Sequence, residues 1–142
     1  MTPPRFAFIK AKWHADIVDQ ALVGFQEFIP NVDFFDVPGA FEMPLLAKRL
    51  AANYDAIACA ALVVDGGIYR HEFVAGAVVK SLLDVGLQTS TPILSICLTP
   101  HHFQETAHHR TIYTEHFKLK GREAADAALA ITSVHNDLLA CA

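Results

Sequence analysis

The sequence predicts a three-layer α/β domain, in which a four-stranded parallel sheet carries helices on both faces. Two near-continuous apolar runs, residues 56–64 and 92–98, are typical of strands that are covered on both sides. Stretches of helical periodicity alternate with the strands, which indicates right-handed βαβ units and hence a parallel sheet. A length of 142 residues fits one domain, which we assign to residues 1–142 because no linker or repeat interrupts the chain.

The first half of the chain supplies two strands and two helices. Residues 5–11 alternate weakly and predict a strand, and apolar residues recur at helical spacing over 17–29 until a proline ends the helix. Residues 31–37 predict a second strand, which a Pro-Gly pair terminates. A second helix is expected over residues 40–52.

The second half continues the same alternation after the strand at 56–64. A helical pattern over residues 74–83 predicts a third helix, and Gly86 is expected to end it. After the fourth strand, Pro100 leads into a polar helix, and a separate alanine-rich helix is predicted over residues 121–138. The expected architecture is therefore a single flavodoxin-like domain.

The composition is unusually apolar for a domain of this size. Hydrophobic residues make up 53% of the chain, and the mean hydropathy is +0.30. No apolar run reaches the roughly 18 residues that a membrane span needs, so we expect no membrane partner. Subunit contact surfaces, which are depleted in charge at their centres, explain the surplus better. We expect an oligomer.

Charge and cysteine content narrow the function further. The net charge is −4 and the basic residues are scattered, which argues against nucleic acid as a partner. Residues 1–5 lack the charged and apolar regions of a signal peptide. Cys59, Cys97 and Cys141 are odd in number and widely spaced, and we interpret them as reduced, buried thiols of a cytoplasmic protein.

Ligands of open α/β sheets bind at the carboxyl ends of the strands. Four segments of this chain are expected there, each with a turn signal beside residues that stack, bond or carry charge: 12–14, 38–42, 65–71 and 99–102. In the third segment, Gly66-Gly67 precede a helix whose first turn carries Arg70, His71 and Glu72. Free backbone N–H groups beside titratable side chains allow an anion to bind and protons to move.

Trp13, the only tryptophan, lies just after the first strand. A flat aromatic ring at that place either stacks on a planar heterocycle or packs at an edge or a subunit contact. The residues alone slightly favour packing.

The segment 37–42 opens a helix with exposed N–H groups and an acid, Glu42, in its first turn. Backbone donors and this carboxylate are suited to hold a polyhydroxy chain. The alternative is simple dipole complementarity, because acids stabilise first turns by roughly 0.3–1 kcal/mol. For an isolated glutamate the second interpretation is preferred.

A histidine-rich tract follows the fourth strand. It suggests a metal site, but no acid or cysteine completes a recognised ligand spacing, so a solvated or interface helix is the preferred interpretation. Its members are His101, His102, His108, His109 and His116.

Two motifs together resemble the lumazine synthase family of riboflavin biosynthesis. One is Val-Pro-Gly-Ala-Phe-Glu-Met-Pro at 37–44, and the other is the Gly-Gly…His-Glu-Phe-Val-Ala block at 66–75. The Ile-Tyr-Arg-His form at 68–71 and the Leu-Thr-Pro-His-His-Phe string at 98–103 look like the divergent branch of this family that is found as decamers.

The resemblance implies a reaction without redox cofactor or metal. It is the condensation of 5-amino-6-ribitylaminouracil with 3,4-dihydroxy-2-butanone 4-phosphate to 6,7-dimethyl-8-ribityllumazine, phosphate and water. The implied steps are imine formation, phosphate elimination and ring closure. The implied assembly is a homopentamer or a dimer of pentamers, with active sites at subunit boundaries.

The resemblance also assigns residues to the first substrate. Trp13 would stack on the pyrimidine, and the element made of Ala40, Phe41 and Glu42 would bind the ribityl chain. The ring would be bordered by Leu62, Val63 and Val64. Ser95 occupies a position where many relatives place an aromatic residue that reaches a neighbouring subunit's site.

For the phosphate of the second substrate, the resemblance points to Gly67, Ile68 and a basic residue further along the chain. Ile68 replaces the usual hydroxyl residue, so a contact there must come from the main chain. The basic residue is His109 or, after a small shift of register, Arg110. Lys118 and Lys120 are further candidates.

Proton transfer is where the chain departs from the family pattern. The usual histidine position holds Arg70, and His71 lies next to it. An arginine stays protonated near neutral pH, but it binds phosphate bidentately and steadies negative charge. Either His71 moves protons, or Arg70 acts electrostatically while water or substrate groups do so. This exchange keeps two alternatives open, namely a lumazine- or flavin-binding oligomer with weak or no turnover, and an assembly protein.

Overall fold

The computed structural model describes residues 3–64, 71–99 and 106–141, with His71 by its backbone alone. Strands and helices alternate along the chain. The elements are β1 (Phe6–Ala11), α1 (Ala15–Phe28), β2 (Asp33–Val37), a 3₁₀ turn (Ala40–Glu42), α2 (Met43–Leu50), a second 3₁₀ turn (Ala51–Asn53), β3 (Ala56–Leu62), α3 (His71–Thr89), β4 (Ile93–Leu98) and α4 (Ala107–Ala140).

The four strands form one sheet in the order β2-β1-β3-β4, and all pairs are parallel. Ala11 pairs with Val37 at one side, and Cys59 pairs with Ser95 at the other. The chain moves outward from β1 to β2 and then crosses back to β3, so the strand order reverses between β1 and β3. Such a switch point opens a crevice at the carboxyl ends of the strands. The predicted parallel α/β sheet is confirmed.

Each face of the sheet has its own apolar core. On one face, Phe8 meets Phe25 of α1 edge to face, with ring centroids 5.2 Å apart, and Phe117 of α4 joins the same cluster. On the other face, Met43 of α2 and Leu82 of α3 share a cluster with the strands. Helices therefore cover both faces, as the apolar runs in the sequence predicted.

The predicted break at Gly121 is wrong, because α4 is one continuous helix of 34 residues. Gly121 lies where α4 crosses α1, and a Cβ atom at this position would be only 2.0 Å from the carbonyl oxygen of Ala21. In the same way, a Cβ atom on Gly24 of α1 would be only 2.0 Å from the carbonyl oxygen of Lys118. These glycines permit close helix packing and do not end a helix.

The prediction that Gly86 ends the third helix is also wrong. The helix continues to Thr89, and it stops because Ser90 adopts the left-handed conformation with a φ of 63°. The main-chain N–H of Ser90 donates to the carbonyl of Gly86 at 2.9 Å and closes the last turn. Elsewhere the predicted boundaries differ from the observed ones by a few residues.

The cysteine prediction is correct for Cys59, which is buried, and wrong for Cys141, which is exposed at the end of α4. Cys97 lies between these extremes. Over the described residues, no helix combines the length and the apolar character that a membrane span requires.

The crossing of α1 and α4 yields a stability prediction. Gly121→Ala should lower the free energy of unfolding by about 1–3 kcal/mol, because the new methyl group meets backbone atoms that cannot rotate away. Gly76→Ala on α3 is the matched control, since a Cβ there meets nothing within 4 Å. It should stabilise by about 0.4–1 kcal/mol. Urea unfolding at one fixed protein concentration measures both. Equal effects of the two substitutions would contradict the proposed close approach.

Candidate active site

The carboxyl ends of neighbouring strands are tied together by backbone hydrogen bonds just beyond the sheet. The N–H of Lys12 donates to the carbonyl of Val37 at 2.9 Å, and the N–H of Val63 donates to the carbonyl of Leu98 at 2.8 Å. The loops that leave the four strands therefore start at one edge. Beside β4, the hydroxyl oxygen of Thr99 is buried without a hydrogen-bond partner among the described residues.

Trp13 stands in a short loop between β1 and α1, and 72% of its surface is exposed. The loop is tight because His14 adopts the left-handed conformation, with φ 58° and ψ 41°. The carbonyl of His14 accepts hydrogen bonds from Ile17 and Val18, both at 3.0 Å, and starts the helix at once. The indole ring is therefore not packed within its own chain. It is available to a planar ligand or to a neighbouring chain.

The segment predicted to hold a polyhydroxy chain forms a 3₁₀ turn over Ala40–Glu42 and runs directly into α2. Phe41 is 62% exposed. The carboxylate of Glu42 lies over the backbone of Gly39, because a Cβ built on Gly39 would be 3.8 Å from one of its oxygens. At the start of α2 this carboxylate forms no capping hydrogen bond. Its position near β2 suits a hydroxyl donor as well as the helix dipole.

The three residues predicted to border a ring differ in their exposure. Leu62 and Val63 are buried, and their side chains belong to the cores on opposite faces of the sheet. Val64 is only partly buried and packs at the margin of the α1 and α4 side. A ligand at this edge would therefore meet Val64 and the main chain around it rather than the side chain of Leu62.

The predicted phosphate loop and the predicted proton-transfer residue lie outside the described part of the chain. This applies to Gly67, Ile68 and Arg70. His71 is the first residue of α3, and the exposed Glu72 and Phe73 follow it in the first turn.

The basic residues predicted on α4 lie in its first two turns. Thr106 caps the helix, its hydroxyl accepting a hydrogen bond from the N–H of His109 at 3.2 Å. The half-buried His109 ring meets Tyr113 edge to face, with centroids 6.0 Å apart. Arg110 forms an ion pair with Asp16, in the first turn of α1. This pair holds the start of α4 against the helix that follows Trp13.

Lys120 lies further along α4 and pairs with Glu123 at 2.9 Å. At about 1.5 Å of rise per residue, it is roughly 15 Å along the axis from Arg110. In the described ranges, no three His, Cys, Asp or Glu side chains are grouped so that they could hold a metal ion. His101 and His102 are not among the residues described.

Ser95 is in the middle of β4, and its side chain is exposed. Its hydroxyl accepts a hydrogen bond from the N–H of Cys97 at 3.3 Å. Three residues separate it from the end of the strand, or about 10 Å. Ser95 therefore lies at the outer edge of the sheet and not among the loops at the carboxyl ends.

The full-length similarity of the chain decides its family. A family model described as 6,7-dimethyl-8-ribityllumazine synthase matches residues 3–136. The chain belongs to this family. It is 54% identical to the 6,7-dimethyl-8-ribityllumazine synthase of Rhodococcus erythropolis, over 87% of this chain and 85% of the relative.

Other lumazine synthases are similar over comparable lengths. Identity is 52% to 6,7-dimethyl-8-ribityllumazine synthase 2 of Pseudomonas syringae pv. tomato, covering 85% of this chain and 76% of the relative. Identity is 49% to the protein of the same name from Bradyrhizobium diazoefficiens, covering 88% of this chain and 80% of the relative. The resemblance that the two sequence motifs suggested is confirmed.

The sequence analysis missed one cluster of charged residues near the candidate site. Lys10 is buried near the end of β1, and its ammonium contacts Asp19 and Asp36. The available signal was a lysine in the otherwise apolar strand Phe-Ala-Phe-Ile-Lys-Ala. Its partners were not identifiable, because they lie on two other elements.

Two of the cysteines, Cys59 and Cys97, offer little nucleophilic character near neutral pH. Burial raises the pKa of the Cys97 thiol to about 11. Burial and, secondarily, the neighbouring Cys97 raise the pKa of the Cys59 thiol. At pH 8 only about one Cys97 in 10³ is a thiolate, and the thiolate is the reactive form.

Thiol labelling tests this assignment. With Ellman's reagent at pH 8, one thiol per chain should react rapidly, namely Cys141, and the other two should react at least about 100-fold more slowly. The slow rate of Cys97 should rise about tenfold per pH unit until pH approaches its pKa of about 11. Cys141→Ser should remove the fast phase. A second fast thiol in that variant would show that Cys97 or Cys59 is accessible and ionised.

Proposed function

We propose that this chain catalyses the condensation of 5-amino-6-ribitylaminouracil with 3,4-dihydroxy-2-butanone 4-phosphate, the penultimate step of riboflavin biosynthesis. The products are 6,7-dimethyl-8-ribityllumazine, phosphate and water. The observation that carries the proposal is the exposed Trp13 beside the Ala40–Glu42 turn, at the joined ends of β1 and β2 in a lumazine synthase chain. A cytoplasmic location stays a prediction from the sequence.

The first substrate would lie along the ends of β1, β2 and β3. The indole of Trp13 stacks on the pyrimidine, and Glu42 with the main chain of Ala40 and Phe41 binds the ribityl hydroxyls. Val64 and the backbone of Val63 border the ring. Holding both reactants in this geometry removes much of the entropic barrier of a two-substrate reaction.

The second substrate brings a phosphate, which needs hydrogen-bond donors and positive charge. The loop at Gly67 and Ile68 and the start of α3 would offer main-chain N–H groups. His109 or Arg110 adds a basic side chain. Arg110 is already paired with Asp16, so a phosphate would have to share it or displace that carboxylate.

The proposed catalytic residues are Arg70 and His71. Arg70 keeps its charge through the reaction, so its role is to position the phosphate and to stabilise negative charge as phosphate leaves. His71 shuttles protons between the substrate nitrogen and oxygen atoms; water or substrate groups provide the alternative route. The proposed steps include no role for a metal or a redox cofactor. None of them transfers electrons to a cofactor.

The active assembly is proposed to be a homopentamer or a pair of pentamers. Its support is three large apolar side chains on the open side of α3, where Phe73, Leu83 and Leu87 are 71%, 64% and 75% exposed. At 100° per residue these three side chains lie within about 80° of one another, on one side of the helix. Ser95 at the outer edge of the sheet would then face a neighbouring chain's site.

A second function is a lumazine- or flavin-binding oligomer with weak or no turnover. The observation that favours it is Arg70 in the position where the family usually has a histidine. Mixing both substrates and following lumazine absorbance decides between the two. Zero turnover with micromolar binding of lumazine would support the binder, and neither turnover nor binding would support an assembly protein.

Trp13 gives the first kinetic prediction. Trp13→Ala should raise the KM for the ribitylaminouracil about 2- to 12-fold with kcat little changed, because a stacked pair contributes about 0.5–1.5 kcal/mol in both ground and transition states. Trp13→Phe should keep most of the affinity. Leu139→Ala is the control, since that side chain is 75% exposed near the opposite end of the sheet. An unchanged KM in Trp13→Ala would remove stacking from the proposal.

Arg70 gives the second kinetic prediction. Arg70→His should raise the KM for the phosphorylated butanone and lower kcat, because a histidine that is neutral for much of the time lacks the permanent charge that Arg70 offers the phosphate. The comparison uses saturating concentrations of both substrates over pH 6–9. A kcat that rises would show instead that the native arginine limits proton transfer, since a histidine can take up and release a proton near neutral pH.

A further inference from the structure

Lys10 is the charged member of the buried polar residues in the described chain, with 8% of its surface exposed. Its Nζ atom lies 3.0 Å from an oxygen of Asp19 in α1 and 2.5 Å from an oxygen of Asp36 in β2. The same atom is 5.8 Å from the ring centroid of Phe34. One ammonium therefore joins three elements: β1, β2 and α1.

The contacts of Lys10 lie next to both segments that the proposed site uses, the loop of Trp13 and the Ala40–Glu42 turn. Lys10 and Asp19 are nine residues apart, and the loop that carries Trp13 lies between them. Asp36 is the next-to-last residue of β2, three positions before Gly39 and the Ala40–Glu42 turn. The hydrogen bond from the backbone N–H of Lys12 to the carbonyl of Val37 also joins the ends of β1 and β2.

The charge on Lys10 is maintained in this setting. Burial alone would lower its pKa, but the hydrogen bonds to Asp36 and Asp19 outweigh burial, and the pKa is raised from its ordinary value. Because the raised pKa lies above 10.5, the contribution of these bonds is present at neutral pH and lost only as the pH rises through that pKa. The triad is therefore intact across the working range of an enzyme.

Stability alone is a poor explanation for this arrangement. Burying an ammonium is costly, and replacing a buried ion pair by an apolar side chain of similar size is often neutral or stabilising. An ionic triad does differ from an apolar contact in one respect. Its directional hydrogen bonds fix three groups in a single relative position, whereas an apolar contact tolerates sliding.

We propose that Lys10 is a positioning residue, whose ammonium sets the loop of Trp13 and the Ala40–Glu42 turn in one fixed relation. The proposal rests on the proposed function, in which these two segments bind opposite ends of the ribitylaminouracil. Lys10 touches neither substrate. It acts through the two segments that do.

The chain offers a direct probe, because Trp13 is its only tryptophan and all tryptophan fluorescence reports on this loop. Lys10→Met keeps the length of the side chain and removes the ammonium. The carboxylates of Asp19 and Asp36, which are 46% and 42% exposed, then become hydrated and repel each other. The control is Arg5→Met, which removes a cation from an exposed ion pair with Asp33 at the opposite ends of β1 and β2.

In time-resolved anisotropy of the substrate-free protein, Lys10→Met should increase the amplitude of the nanosecond motion of Trp13 about twofold or more. The KM for the ribitylaminouracil should rise about fivefold or more, with the KM for the phosphorylated butanone and kcat within about twofold of the unmodified protein. Arg5→Met should change none of these. A merely structural role would move the unfolding midpoint and both KM values together.

Unchanged anisotropy in Lys10→Met, or equal rises in both KM values, would overturn the proposal. If Lys10→Met does not fold, Asp19→Ala decides the matter by the same measurements, because it removes the contact that closes the Trp13 loop and leaves the contact with Asp36. The anisotropy needs no substrate, so its outcome is independent of turnover. An unmodified protein that forms no lumazine would instead reject the proposed function.

Discussion

The two inner strands are covered on both faces, and the rest of the molecule depends on this constraint. Every residue of β1 and β3 is buried. Apolar helices must therefore lie on both sides, which leaves the ends of the strands as the places where polar groups meet solvent. Because all four strands run parallel, their carboxyl ends share one edge, and the strand order reverses there between β1 and β3. The position of the candidate site follows from how the sheet is buried.

The sequence predicted the kinds of elements and their order because apolar periodicity is a local signal. It failed at two glycines. Gly121 gives the same local signal whether it ends a helix or lets another helix approach, and the deciding atom is the carbonyl of Ala21, one hundred positions earlier in the chain. At Gly86 the helix end was set by the left-handed Ser90, for which serine carries no strong sequence signal. Helix continuity at Gly121 was thus decided by a tertiary contact, and the end of α3 by a backbone conformation.

The candidate site was predictable to a similar extent. Trp13 and Glu42 could be placed at the carboxyl edge, because each follows a strand that the pattern identified. The exposure of the indole could not be predicted, since it depends on the left-handed turn at His14. The contacts of Lys10 could not be predicted either, because its two partners come from α1 and β2, and only the folded sheet brings them together.

Under the proposed function, the substitution at Ser95 changes how the pyrimidine ring is held. The family resemblance implies an aromatic residue at this position in many relatives, which would reach a neighbouring subunit's site. A serine hydroxymethyl group offers no ring face, and here it accepts a hydrogen bond from its own strand at Cys97. One of two possible stacking partners is then absent, and the orientation of the pyrimidine depends more heavily on Trp13. A loop that carries the main stacking side chain has more need of a rigid base. The buried triad of Lys10 with Asp19 and Asp36 provides such a base at the foot of that loop.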